Sequence, residues 1–267
     1  MLNGGDREAK NIVKMKTFRM VRMALMAVLM CVGFSSCSED EEFTNGENGI
    51  TGKRLTRISY SANSYTSFTY DNKKRLIEAK DISKSEWYWR ETMIWGDDAV
   101  RINSTEIYEG EEYNGSDTYP IMNGLIRDYD EYIYVYNQSD RLIKWGTEYN
   151  TTSIIWDGDK LVSVTKNIGD NYRKEIILTY KESCQKGYFP LLGYIIDVNQ
   201  GLDIFFAHPE LLGLRTTQLP ESVTTIHSDK SQSTDTYSYE FDNEGYISKI
   251  TERTSNGKTY TYTLTWE

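Results

Sequence analysis

The chain is short of cysteine, histidine and proline, and each shortage removes a class of chemistry. Of 267 residues, three are Cys and two are His. Cys31 lies in an apolar leader and Cys37 directly after it, so Cys184 is left alone and the mature chain can form no internal disulfide. A solitary Cys without cationic or helix-start surroundings reads as a half-buried thiol rather than a nucleophile. His208 and His227 stand apart, and no His-Glu-x-x-His or Cys-x-x-Cys spacing exists to hold zinc. A Gly-x-Ser-x-Gly elbow and a phosphate-cradling Gly-rich Lys loop are also missing. No cofactor, no metal and no enzymatic activity are expected on this basis.

Positive charge is scarce beyond the N-terminus. Residues 1–36 carry six Lys/Arg against Asp6 and Glu8, a net of +4; removing that from the chain's −10 leaves −14 from Cys37 onward. Such a surface repels phosphate backbones, which excludes nucleic acid as a partner. Long apolar runs are lacking as well. The dozen apolar residues at 23–34 fall short of the roughly 20 that span a bilayer as a helix. Preceded by Lys14-Met15-Lys16-Thr17-Phe18-Arg19, they suit the core of a signal peptide. Met15 is a better start than Met1, since residues 1–14 add nothing that a signal peptide needs.

Phe34-Ser35-Ser36-Cys37 resembles the bacterial lipoprotein box, with Phe34 where Leu is usual. The resemblance implies cleavage before Cys37 and acylation of that residue. Several acyl chains make attachment nearly permanent, because each buried methylene contributes about 0.8 kcal/mol. The following Ser38, Glu39, Asp40, Glu41 and Glu42 resemble the acidic export signal of Bacteroidetes lipoproteins, which implies display on the cell surface. A solvated acidic tether is the plainer reading of the same run. Gly- and Asn-rich residues 43–52 continue that tether. The expected boundaries are a signal peptide over 1–36, an anchored tether over 37–52 and one domain over 53–267.

What abounds is aromatic: 21 Tyr and six Trp, with many Thr, the composition of strands. A short phrase recurs. Phe68-Thr69-Tyr70-Asp71-Asn72-Lys73-Lys74-Arg75-Leu76-Ile77 is nearly repeated by Tyr134-Val135-Tyr136-Asn137-Gln138-Ser139-Asp140-Arg141-Leu142-Ile143. Looser copies surround Trp95, Trp156 and Phe241. Aromatic and branched residues fill strands, while Asp, Asn and Gly suit tight turns, so each copy outlines a β-hairpin. Tyr70, Trp95, Tyr136, Trp156, Tyr180, Phe241 and Trp266 are the expected anchors, and four of their six gaps are 20–25 residues. That period predicts an all-β antiparallel meander of hairpin repeats. Tyr260, Tyr262, Leu264 and Trp266 alternate with Thr, a one-sided strand; Tyr132-Ile133-Tyr134-Val135-Tyr136 is apolar on both faces and predicts a central, doubly covered strand.

Residues 187–220 break the pattern with three of the four prolines and a dense apolar set. Asp203 suits the start of a short helix, Pro209 the first turn of a second and Gly213 its close. A helical insertion near 202–215 is therefore expected to plug the open side of the sheet, with His208 at a helix boundary.

From residue 53 onward the chain resembles a Bacteroidetes lipoprotein domain family of unknown function with a porin-like β fold. The hairpins and Leu211-Leu212-Gly213-Leu214…Gln218-Leu219-Pro220-Glu221-Ser222-Val223 carry the resemblance, which implies a strongly curved, porin-like sheet. The likeness to Tyr-Asp repeat shells is poorer, because their Gly-Arg step survives here only as Lys-Arg or Asp-Arg. The family has no assigned activity, so it supplies no catalytic residue.

Paired acids occur at Asp97-Asp98, Asp157-Gly158-Asp159 and Asp128-Tyr129-Asp130-Glu131. The first two fall at hairpin turns, where Asp serves backbone geometry. Trp87 and Trp89 share one face of a strand: facing water they make a platform for a sugar or protein, facing inward they are packing. A membrane-embedded barrel is disfavoured by charged stretches such as Arg173-Lys174-Glu175. The expected protein is an outer-membrane, surface-exposed lipoprotein that binds glycan or protein without catalysis. The alternative is an assembly lipoprotein touching an outer-membrane partner through sheet edges; a glycan-active hydrolase using paired acids ranks third.

Overall fold

The computed structural model describes residues 52–83, 87–169, 172–181, 186–198 and 202–267. The leader, Cys37, the acidic run 38–42, the tether up to residue 51 and Cys184 lie outside the described residues.

Sixteen antiparallel strands follow one another round a nearly closed, barrel-like sheet. They are β1 (Leu55–Ser61), β2 (Ser64–Tyr70), β3 (Leu76–Ile82), β4 (Tyr88–Trp95), β5 (Ala99–Tyr108), β6 (Glu111–Met122), β7 (Leu125–Ile126) and β8 (Ile133–Tyr136). The second half is β9 (Leu142–Gly146), β10 (Asn150–Asp157), β11 (Lys160–Ile168), β12 (Tyr172–Tyr180), β13 (Pro220–Ile226), β14 (Gln232–Phe241), β15 (Ile247–Arg253) and β16 (Thr259–Trp266). Every neighbour in sequence is a neighbour in the sheet except β7 and β8, and β1 pairs with β16 to join the ends. The expected meander is present, including the hairpins at Asp71, Asn137 and Asp242.

Those turns are built by their first residue. The Asp71 carboxylate accepts the amides of Lys73 and Arg75 at 2.8 and 2.9 Å. Asn137 and Asp242 repeat the arrangement two and four residues ahead. An Asx side chain replaces backbone partners that the turn cannot supply.

Directly beyond the turns lies a device that explains the aromatic excess. Seven strand pairs carry a bulge; one lies between β1 and β2 at Ser59/Ser61, and in the other six the extra residue follows Leu55, Leu76, Leu142, Leu161, Pro220 or Ile247. A bulge disrupts the ladder and leaves a carbonyl in need of a donor. An aromatic from the adjoining strand supplies it at each of these six: Tyr70 to Leu55, Trp95 to Leu76, Trp156 to Leu142, Tyr180 to Leu161, Tyr239 to Pro220 and Trp266 to Ile247, at 2.6–2.9 Å. Tyr and Trp fit because they pair a large apolar body with a polar tip. One expected anchor is corrected. Phe241 has no donor and is 42% exposed; Tyr239, two residues earlier on the same face, takes the role.

A second correction concerns β8. Instead of a doubly covered central strand it is an edge strand, with Ile133 53% and Val135 38% exposed. Side chains close the seam to β7 where the ladder stops: Tyr136 donates to the Ile126 carbonyl at 2.8 Å and the Tyr134 amide to Asp128 at 2.9 Å.

The interior is filled. The segment between β12 and β13 forms α1 (Leu192–Ile195), α2 (Ile204–Ala207) and a 3-10 turn (Pro209–Leu212). Leu192, Ile196, Ile204, Phe205 and Leu212 pack in one core with wall residues Ile58, Leu76, Leu142 and Ile250. Burying each such side chain contributes about 1.5–3 kcal/mol. Gly213 closes the 3-10 turn at φ 61°. A Cβ there would lie 2.2 Å from the Asp140 carbonyl oxygen, so the position admits only glycine. The insertion is thus a lumenal plug, as expected over 202–215 but beginning earlier, with α1.

Candidate functional site

Polar contacts fix the plug to strands on opposite sides of the barrel. Glu91 of β4 is fully buried, and its carboxylate accepts the Asp203 and Ile204 amides at 3.0 and 3.2 Å. These are orphan donors at the start of α2, and the partner is a strand carboxylate rather than the Asp203 side chain expected from sequence. Across the lumen, Lys166 of β11 donates to the Asp197 carboxylate at 2.8 Å and to its carbonyl at 3.2 Å. His208, at the α2 boundary as expected, accepts the Leu76 amide on Nε2 at 3.0 Å. Its Nδ1 meets Glu210 at 2.7 Å.

Around Glu210 lies a buried charged network. The Arg215 guanidinium is 3.7 Å from its second oxygen. Arg54 joins electrostatically, and its guanidinium carbon lies 5.8 Å from the Tyr70 ring centroid. Burial pushes the Glu210 carboxyl up, but His208 and Arg215 outweigh it and hold the group at about 2. Burial lowers Arg54 from its ordinary value, with Glu210 opposing. Both guanidiniums therefore lie in the field of the Glu210 carboxylate. The Nε and Nη1 of Arg54 are buried with no hydrogen-bond partner among the described residues.

Arg54 also lines a cleft of about 810 Å³ that opens at this end of the barrel. Phe68, Tyr70 and Tyr246 give it apolar walls, and Lys53 and Lys74 add positive charge. Two acids border it. Glu244 is engaged by Lys53 at 2.5 Å, and Glu267 is exposed. Gly52, where the described chain begins, is part of the rim.

A different level of the lumen holds Asp81, Glu106 and Glu252, each below 10% exposed. Glu252 accepts the hydroxyls of Tyr237 and Tyr262 at 2.9 and 2.6 Å. Burial raises its carboxyl and these two donors oppose the rise. Trp87 and Trp89, one of whose two readings was a ligand platform, are 4% and 7% exposed. Their indole N–H groups donate to Glu106 and Glu91 at 2.5 and 2.9 Å. The structure thus places both rings inside, on the packing side of that choice. Asp97, Asp98, Asp157 and Asp159 sit exposed at separate hairpin tips. Among the described residues no cluster of three His, Cys, Asp or Glu side chains is arranged to hold a metal.

Sequence reasoning missed Arg54, Glu91 and Glu210. A signal existed for the first, since Arg54-Leu55 repeats the Arg75-Leu76 and Arg141-Leu142 step, and all three guanidiniums lie over an anchor ring. Nothing local marks the other two.

No family model and no curated protein matches the chain. Among solved structures it is similar to a porin-like protein from Bacteroides uniformis, with a TM-score of 0.50 at 15% identity over 80% of this chain and 98% of that one. A porin-like protein from Bacteroides vulgatus aligns with a TM-score of 0.31 at 14% identity over 80% and 82%. The likeness is one of fold. The porin-like β architecture expected from sequence is therefore shared with the solved Bacteroides uniformis protein, while membership of the lipoprotein family rests on the resemblance alone.

Proposed function

We propose that the chain is an outer-membrane lipoprotein, anchored through Cys37 and turned outward, whose plugged barrel is a water-facing scaffold that binds glycan or protein. The filled lumen carries this reading, because a plug packed into the wall on all sides suits a rigid support better than a channel. The outer wall favours water as well: Arg90 and Lys80 both pair with Glu78, and Lys249 pairs with Glu240. Charges on a lipid-facing wall would each cost about 2–4 kcal/mol near the midplane.

Cell fractionation tests the anchor. Cys37→Ser should still cross the inner membrane but leave the outer-membrane fraction. Changing Glu39, Asp40, Glu41 and Glu42 to Ala should preserve anchoring and abolish digestion by protease added to whole cells. If Cys37→Ser fractionates like the wild type, the lipoprotein reading fails.

A specific edge supports the assembly alternative. β6 pairs with β5 along its length, while β7 covers only Ile121 and Met122 on its other side. Among the described residues no strand covers this other edge of residues 111–116, an edge of the kind that accepts an added strand. Crosslinking from this edge to one dominant outer-membrane protein, with no affinity for free sugars, would favour assembly over glycan binding.

A further inference from the structure

We propose that the cleft over Arg54 binds the anionic group, carboxylate or phosphate, of a small organic ligand of about monosaccharide size. The inference rests on the binding reading above and names its site. It begins with a buried guanidinium. Arg54 lies in the field of Glu210, a carboxylate already engaged by His208 and approached by Arg215. An isolated buried ion carries a penalty of several kcal/mol unless it is paired and hydrogen-bonded. Arg54 is 7% exposed, and two of its N–H donors have no partner among the described residues. Guanidinium forks match carboxylates and phosphates better than any neutral group.

The surroundings leave room for such a ligand. At about 810 Å³ the cleft is far larger than an inorganic ion requires and lies within the usual range for organic ligands. Phe68 and Tyr70 offer apolar contact, as the body of a sugar ring would need. The acids on the rim do not cancel the attraction, because Glu244 is neutralised by Lys53 and Glu267 is solvated. Lys74 is exposed at the entrance and adds long-range pull.

One competitor belongs to the chain itself. Glu47 lies five residues before the rim residue Gly52, and an extended segment of that length reaches up to roughly 17 Å. The experiment separates these sources. Full-length protein in detergent is titrated with glucuronate, glucose 6-phosphate, inorganic phosphate and glucose, with binding read by calorimetry and by ligand-observed NMR. The two sugar anions should bind saturably, phosphate more weakly and glucose not at all. Arg54→Gln should weaken the sugar anions at least tenfold. Should that variant unfold by circular dichroism, Lys74→Gln at the exposed rim should weaken them several-fold and reduce the salt dependence of binding.

Equal binding of glucose would overturn the proposal, and so would inorganic phosphate binding as tightly as the sugar anions. A third adverse result is no binding until Glu39, Asp40, Glu41, Glu42 and Glu47 are changed to Gln, which would assign the cleft to the chain's own acidic segment. Absence of binding in both forms also ends it. None of these outcomes touches the fractionation of Cys37→Ser, so failure of this site is distinguishable from failure of the lipoprotein reading.

Discussion

Glu210 and Glu252, at different levels of the lumen, give opposite pH responses. Glu210 lies below its ordinary 4.5, at about 2. A depressed carboxyl contributes stability that is present above the unfolded value and lost as pH falls through the folded one. Denaturation midpoints followed from pH 5 to pH 2 should therefore drop, and Glu210→Gln should flatten that limb by at most roughly 3 kcal/mol. Glu252 is raised by burial, so its contribution is full below the unfolded value and declines as pH rises through the folded one. Glu252→Gln should therefore lose relatively less stability at pH 7 than at pH 4. Gly213 is a tightly constrained backbone position. With φ at 61° and a carbonyl oxygen 2.2 Å from where Cβ would be, Gly213→Ala should cost about 3 kcal/mol and lower Tm by roughly 6–12 °C.

Among elements, the bulged strand pairs define the repeat more sharply than the turns do. The bulge frees a carbonyl and the ring one strand over reaches it, so an unpaired ring tip should matter more than ring volume. Trp156→Phe retains the apolar body but strands the Leu142 carbonyl. It should cost about 1–3 kcal/mol in urea unfolding, whereas Phe241→Leu, at an exposed site without a donor, should stay within about 0.5 kcal/mol. Equal losses in the two variants would sink the bulge-donor account. At the seam, amides of residues 111–116 alternate between those facing β5 and those facing no strand among the described residues. Hydrogen exchange should show the same alternation, against uniform protection in β1, which has a partner on each side.

For the molecule as a whole, plug and wall form one core, so the barrel-like sheet has an occupied lumen. Reconstituted in planar bilayers, the full chain should show no stepwise conductance; stable, voltage-insensitive steps would mean that the plug leaves the lumen. Closure also joins the ends of the domain, since β1 must find β16, as Leu55 does Trp266. Contacts of such separation make folding slow, on the order of milliseconds to seconds, and stopped-flow refolding should reach that range.

The sequence by itself determined what is local. Asx turns, alternating strands, the antiparallel meander and the helical break before Pro220 follow from side-chain chemistry within a few residues, and all were legible. Even the aromatic excess was visible, though only as anchors of unknown purpose. Tertiary structure decided what depends on closure. Glu91 receives the Asp203 amide from 112 residues away and Leu76 donates to His208 across 132. Arg54 reaches Glu210 only because the barrel brings its first strand to the plug. β8 reads as a covered strand because both its faces are apolar, yet whether a neighbour exists is set by where the sheet ends. Hydrophobic periodicity records which faces are apolar, not which distant segment will come to cover them.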